Sequence, residues 1–333
     1  MTDNTPRLGF LGLGWIGRHR LEAVVASGAA RPAALCDSDP AVLNAVARAH
    51  PGATACASFE TLLEEPLDGV VIATPSALHA AQASRALSRG RAVFCQKPLG
   101  RDAAEVAEVV AMAARVDRLL GADFCYRELA GMAALRRRIR AGELGEIFAV
   151  DLTFHNAYGP DKSWFYDRDF AGGGCVMDLG IHLVDLAQWC LGNPEVVDLR
   201  SHLYAAGQRL QPPLAAQEDY ACADWRLPGG TSVRLACSWN LAAGQDAQIE
   251  ALFYGTLGGA ALRNVGGSFY NFTVELFHGT AREQLGGYPD AWGGRALIAW
   301  CQRLARDHRF DRAAEDYTRV ARVVDGIYAR CGS

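Results

Sequence analysis

Three stretches of the chain hold residue types at spacings that could do chemistry. Gly12-Leu13-Gly14-Trp15-Ile16-Gly17 is a G-x-G-x-x-G set between a short apolar run and a helical pattern. There Gly12 makes a tight turn, Gly14 lets the main chain approach a pyrophosphate, and Gly17 lets helix and strand pack closely. With Trp15 and Ile16, these glycines predict a dinucleotide-binding turn. Asp37 ends the next apolar run, where its carboxylate would accept hydrogen bonds from the adenosine ribose and repel a 2'-phosphate. Ser38-Asp39-Pro40 offers no basic side chain to offset that repulsion, so NAD is expected over NADP. The alternative for Asp37 is a turn cap and nothing more.

The second stretch is split. Thr74-Pro75, with His79 after it, and Gln96-Lys97-Pro98 each follow an apolar run, at strand ends where open α/β sheets bind ligands. Thr74, Pro75, His79, Gln96 and Lys97 are therefore expected at the cofactor. In the third stretch, Asp178, His182 and Asp185 fall at i, i+4 and i+7, on one face of a helix that is apolar almost all round. A buried acid and imidazole need partners, and a substrate hydroxyl would serve; a purely structural Asp-His pair is the other reading.

The elements that must carry these residues alternate at first. Apolar runs at Arg7 to Gly12, Pro32 to Asp37, Gly69 to Thr74, Ala92 to Gln96 and Leu119 to Asp123 interleave with helical segments such as Trp15 to Ser27 and Ala77 to Arg89. This predicts right-handed βαβ units around a buried parallel sheet, a doubly wound domain over residues 1–123. Asp102 with Glu105 reads as a helix start. Beyond, longer alternating segments predict an α+β domain over 124–333 with a mostly antiparallel sheet: Glu146 to His155, Val196 to Tyr204, Tyr220 to Leu227, Ser232 to Trp239, Gln248 to Tyr254 and Phe269 to Phe277. Helices at about Ala291 to Asp307 and Ala313 to Arg330 finish the chain.

Composition narrows the function classes. Of 333 residues, 50% are apolar or aromatic and the net charge is −4, with no basic stripe beyond Arg136-Arg137-Arg138, so nucleic acid is not an expected partner. Ten dispersed cysteines without a C-x-x-C pair read as reduced thiols and not as a metal site. The first residues lack the pattern of a secretory signal and the apolar stretches look too short to span a bilayer, so a cytoplasmic protein with no membrane partner is expected.

Taken in order and spacing, these residues resemble the family of glucose-fructose oxidoreductase, inositol dehydrogenase and the rhizopine-catabolism protein (Gfo/Idh/MocA). Gly142 to Ile147, and Asp316, Val320 and Tyr328 in the last helix, extend the likeness along nearly the whole chain. The resemblance implies a Rossmann domain followed by an open-sheet domain, and hydride transfer between a nicotinamide and a CH–OH group of a sugar, inositol or related polyol. It implies that Lys97 is the catalytic lysine and that Asp178 and His182 are the paired acid and imidazole, either Lys97 or His182 taking the proton. Gln96 stands where the family usually has Glu and removes a negative charge beside the lysine. Tyr126, Arg127, His155, Asn156 and Trp164 are expected to border the substrate, with Trp164 or Trp189 as a stacking surface. A homodimer or homotetramer through the second sheet is expected. The rival readings are a glycosidase that uses NAD transiently and a non-catalytic dinucleotide-binding regulator of the same fold.

Overall fold

The computed structural model describes residues 5–331. The central strands of its first part are short, apolar and buried on both faces, while the edge of the sheet is exposed. β1 (Arg7–Leu11), β2 (Arg31–Cys36), β3 (Thr54–Ala55), β4 (Gly69–Ile72), β5 (Ala92–Cys95) and β6 (Leu120–Ala122) form a wholly parallel sheet in the order β3-β2-β1-β4-β5-β6. The connecting helices are α1 (Trp15–Ser27), α2 (Pro40–Ala49), α3 (Phe59–Glu64), α4 (Ser76–Ser88) and α5 (Ala103–Val116). The strand order reverses between β1 and β4, the switch point at which such sheets bind ligands. Asp102 caps α5 by accepting from the Glu105 N–H at 2.8 Å, as its position predicts.

The second part runs α6 (Met132–Arg140), β7 (Ile147–Asn156), α7 (Arg168–Ala171), α8 (Ile181–Leu191), then β8 (Asp198–Ala205), β9 (Gln208–Arg209), β10 (Tyr220–Arg226), β11 (Ser232–Ser238), β12 (Ala247–Gly255), β13 (Gly259–Asn264), β14 (Phe272–His278) and β15 (Ala281–Gly286). These strands build one sheet in the order β15-β14-β13-β12-β7-β11-β10-β8-β9, in which only β7 and β11 pair in parallel. Along β7, Val150, Leu152 and Phe154 are buried and alternate with half-buried neighbours, so one face of the sheet carries the core.

Two expectations are corrected here. The first compact unit is the chain to Cys125 together with Gly293–Thr318, and the second is Tyr126–Trp292 with the chain from Arg319. The segment after residue 124 therefore does not stay in one unit: α9 (Arg295–Leu304) returns to the parallel sheet. The reason is packing. Trp300 lies where a side chain at Gly69 or Gly121 would stand, with a Cβ there only 2.7 and 2.6 Å from the indole, and its ring meets Phe94 at 5.8 Å. The last helix, α10, spans Glu315–Ala329. Second, the helical run Arg168–Leu191 is long and apolar enough to cross a bilayer, contrary to the reading that no stretch was, but 83% of its apolar window is buried as the core of the second unit.

Candidate active site

In the first unit the glycine turn is built as its spacing requires. Gly12 sits at φ +87°, and a Cβ on it would lie 2.5 Å from the Ala73 carbonyl oxygen at the end of β4. A Cβ on Gly17 would overlap the Gly12 carbonyl. At Gly14 a Cβ would touch no protein atom, so nothing in the fold demands glycine there and close approach of a ligand does. Its main chain opens α1. Trp15 is 70% exposed and stacks on His19, while Ile16 is half-buried. This cradle fits a dinucleotide pyrophosphate.

Asp37 turns out to hold the turn as well as to face it. Its Oδ2 accepts from the Leu13 N–H at 2.6 Å and its Oδ1 from the Asp39 N–H at 2.8 Å. Each oxygen keeps a lone pair for a ribose hydroxyl. Thr74 donates through Oγ1 to Gln82, and Pro75 precedes the first turn of α4. Both nitrogens of buried His79 face main-chain carbonyls, Nδ1 toward Pro98 at 2.6 Å and Nε2 toward Thr74 at 2.7 Å. Burial pushes this imidazole below its ordinary pKa, against the pull of those two carbonyls. His79 is thus a strut between two strand-end loops, and its ring has no polar atom left to offer a ligand.

Lys97 follows β5, half-buried, at a cis peptide with Pro98. Of 33 basic side chains in the chain only two are lysines, Lys97 and Lys162; the rest are arginines. A lysine kept at a strand end in so arginine-rich a chain points to chemistry a guanidinium cannot do, namely giving up its proton. That compositional signal was present in the sequence and is stronger than position alone. Gln96, which stands where the family usually has Glu, hydrogen-bonds within the fold. The Gln96 amide donates to Asp123 Oδ2, which also accepts from Arg20 Nε at 2.6 Å, all three residues being buried.

In the second unit a π turn over Val176–Gly180 precedes α8 and carries Asp178, the kind of helix irregularity that recurs at functional sites. Asp178 accepts from the indole N–H of Trp239 at 3.1 Å. His182, 9% exposed, meets the Tyr126 ring edge-on at 5.0 Å. Two of the three glycines before the turn have a packing cause: a Cβ on Gly173 would overlap the Tyr328 hydroxyl, and one on Gly174 the Glu218 carbonyl. Glu218, fully buried, accepts from the Val176 N–H at 3.0 Å and the Tyr328 hydroxyl at 2.8 Å. Burial raises its pKa above that of an ordinary carboxyl. Glu218 and Tyr328 thus anchor the turn that presents Asp178.

The remaining sequence expectations divide. Asp185 does not join Asp178 and His182 at a substrate; it is 1% exposed and held by Arg127 through two bonds, Nε to Oδ2 at 2.8 Å and Nη2 to Oδ1. Arg127 is committed to that pair. Tyr126 belongs to an aromatic cluster with Phe154, Phe272 and Trp292. His155 lies on the opposite sheet face from Phe154, as strand alternation dictates; it bonds Ser238 Oγ at 2.8 Å and stacks on Tyr220. It therefore faces away from the buried side, and burial among these groups lowers its pKa. Asn156 shares the Phe154 face, and its Oδ1 is buried without a hydrogen-bond partner among the described residues. Trp189 is covered by the guanidiniums of Arg127 and Arg136 and offers no sugar platform. Trp164 stacks on Phe165, while Phe165 and Tyr166 meet Trp239 at 6.5 and 5.5 Å. Trp239, not singled out in the sequence, thus holds the Asp178 carboxylate, and Phe165 and Tyr166 pack against its indole.

Comparison with known proteins matches residues 7–124 to the model described as an oxidoreductase family with an NAD-binding Rossmann fold, and residues 132–261 to the GFO/IDH/MocA C-terminal domain. The chain is a member of the Gfo/Idh/MocA oxidoreductase family. Among its relatives within the family, a protein named as a UDP-kanosamine synthase oxidoreductase subunit from Amycolatopsis mediterranei is 33% identical over 77% of this chain and 75% of its own length. Inositol 2-dehydrogenase of Rhizobium meliloti is 31% identical over 58% of this chain, which spans 57% of that enzyme. A solved levoglucosan dehydrogenase with NADH superposes with a TM-score of 0.82 at 20% identity, covering 98% of this chain and 96% of that one. A 3-ketoreductase from Actinomadura kijaniata with NADP gives 0.81 at 21% identity, covering 98% of each chain. These likenesses establish the Rossmann unit with its NAD(P)-binding turn and the mostly antiparallel second unit.

Proposed function

We propose that this oxidoreductase moves a hydride between NAD and a CH–OH carbon of a sugar, inositol or related polyol. The observation that carries the reading is the glycine turn at the β1/β4 switch point, with the lysine of an almost lysine-free protein at the end of the neighbouring strand β5. The relatives' names support the substrate class: inositol 2-dehydrogenase, D-glucoside 3-dehydrogenase and levoglucosan dehydrogenase all act on CH–OH groups of polyhydroxylated rings. Gly12, Gly14 and Gly17 would hold the pyrophosphate and Asp37 the adenosine ribose. When bound, the nicotinamide accepts or gives the hydride.

The chain's own residues then have three tasks. Lys97 Nζ takes the hydroxyl proton as the carbonyl forms, and returns it in the reverse direction; general acid-base help of this kind is worth about 10²- to 10⁴-fold. The Asp178 carboxylate, oriented by Trp239, accepts a hydrogen bond from a substrate hydroxyl, and His182 binds a second. Asn156 Oδ1 supplies a further acceptor for a ligand hydroxyl. A panel of myo-inositol, D-glucose, D-xylose and levoglucosan with NAD⁺ and NADP⁺, read by NAD(P)H absorbance, tests the proposal. Silence across a broad alcohol panel would favour a dinucleotide-binding regulator instead.

NAD is proposed over NADP because Asp37 faces the turn with a carboxylate and no basic residue follows it. Tryptophan-fluorescence titration should show tighter binding of NAD, and Asp37→Ala should weaken NAD by about 1.5–3 kcal/mol. Tighter NADP binding by the unaltered protein would refute this. A cytoplasmic location is proposed from ten unbridged cysteines, nine of them buried.

A further inference from the structure

Asp123 directly follows β6 and is 1% exposed, yet it has no part in the chemistry set out above. Its Oδ2 accepts from two donors, Arg20 Nε at 2.6 Å and the Gln96 amide, while its Oδ1 is buried without a hydrogen-bond partner among the described residues. Arg20 is on α1, one turn beyond Gly17; Gln96 immediately precedes Lys97. A single carboxylate thus ties the helix behind the glycine turn to the residue that carries the lysine. Its charge is felt locally by Cys95 and Cys125, whose thiols burial raises and Asp123 raises further, and by His19. Cys125 also feels Lys97, so lysine and carboxylate act on the same thiol.

We propose that Asp123 is a positioning residue for Lys97: by holding the Gln96 amide against Arg20 it fixes the turn that presents the lysine, and it supplies the negative charge that a carboxylate at position 96 would otherwise bring. The functional importance of this rests on the reading of Lys97 as the proton carrier, but the arrangement itself does not. Gln96 can donate to Asp123 only because it is an amide; a carboxylate there would set two acids around one guanidinium and repel. Amide and acid are therefore interdependent, and exchanging them should preserve one carboxylate, one amide and one guanidinium in the same buried space. The charged groups facing Asp123 are Arg20 and His19 from α1, with the thiols of Cys95 and Cys125 beside it; Lys97, after β5, acts on that same Cys125 thiol and on His79 from α4.

Because Lys97 and Lys162 are the only lysines, the test needs no substrate. In a Lys162→Arg background, reductive methylation with ¹³C-formaldehyde leaves Lys97 and the amino terminus as the labelled amines, and the pH midpoint of the Lys97 signal is followed by NMR. Asp123→Asn should lower that midpoint by about half a unit or more, since a negative charge that favours the ammonium is lost. Gln96→Glu should raise it, and the exchange Gln96→Glu/Asp123→Asn should fold and bring it back to the original value or above. An unmoved midpoint in Asp123→Asn, or an exchange protein that fails to fold or stays at the lowered midpoint, overturns the proposal. Should Asp123→Asn alone fail to fold, the exchange and Gln96→Glu decide it. Activity is a separate readout: an active Lys97→Met retires the lysine as proton carrier without touching the midpoint result, whereas an inactive Lys97→Met with unmoved midpoints refutes the positioning role alone.

Discussion

At Lys97 the difference between an amine and a guanidinium is the substance of the functional reading. Both carry a positive charge, but only the amine gives up its proton near neutral pH when its surroundings allow. Lys97→Arg should therefore leave NAD affinity within a few-fold while lowering kcat by about 10²-fold or more, because the lost interaction belongs to the transition state; single-turnover kinetics beside a binding titration separate the two. His79 makes a pH prediction of definite sign. Its folded-state pKa lies below the ordinary value of 6.5, chiefly through burial. Burial makes the folded ring harder to protonate than the unfolded one, so the stability it contributes is full above 6.5 and is lost as pH falls through that value toward the folded one. Melting temperatures taken between pH 7.5 and 5.5 should fall with acidification, and His79→Gln should flatten the slope; an unchanged slope would show that this ring does not titrate as argued. Such residue roles were only half legible beforehand. Types and spacing pointed to Lys97, Asp178 and the glycines, but whether Asp185 or Trp189 was spoken for depended on Arg127 and Arg136, which lie more than forty residues away in sequence and reach them only in the folded chain.

Among the elements, those with a local signature were readable and those created by partners were not. Helix α1 was expected at Trp15 to Ser27 and lies there, because the glycine turn starts it and Gly28, at φ +67°, ends it. β13 and β15 went unassigned: Gly259–Asn264 and Ala281–Gly286 are strands because β12 and β14 flank them, and no apolar alternation announces them. The π turn at Asp178 was read as ordinary helix for the same reason. Its anchors, Glu218 and Tyr328, are distant in sequence and meet it only in the folded chain. This gives a test at the level of the element. Gly174→Ala places a methyl against the Glu218 carbonyl and should cost about 1–3 kcal/mol by forced displacement, whereas Gly142→Ala meets open space, at a strained φ of +75° but with no overlap. If denaturant midpoints showed Gly174→Ala to be the milder of the two, the close approach would not be what fixes the turn.

For the molecule as a whole, one face of the nine-stranded sheet carries the buried core and the other is open within the single chain. That open face is mixed in character. Thr153 of β7, Ala236 of β11 and Leu252 of β12 line its centre, half-buried, around a hollow of about 460 Å³, while Arg234 and Asp151 pair across it at 2.7 Å and Arg200, His202 and Asp224 rim it. Small residues at the middle strands and charges at the rim suit a two-fold contact, in which the same patch meets itself and each arginine can find an acid on the partner. We therefore propose a dimer, or a tetramer built from it, through this face. Leu252→Arg sets a cation at the centre, where in a two-fold contact it meets its own copy, so association should weaken by tenfold or more while the fold, with the buried face untouched, melts as before. Light scattering at micromolar concentration should give a multiple of the 35.8 kDa chain for the unaltered protein and a monomer mass for the variant. A monomer mass for the unaltered protein would end the proposal. An unaltered oligomer that survives Leu252→Arg would move the contact elsewhere, most directly to the flank where Phe148, Tyr254 and Leu257 stand exposed.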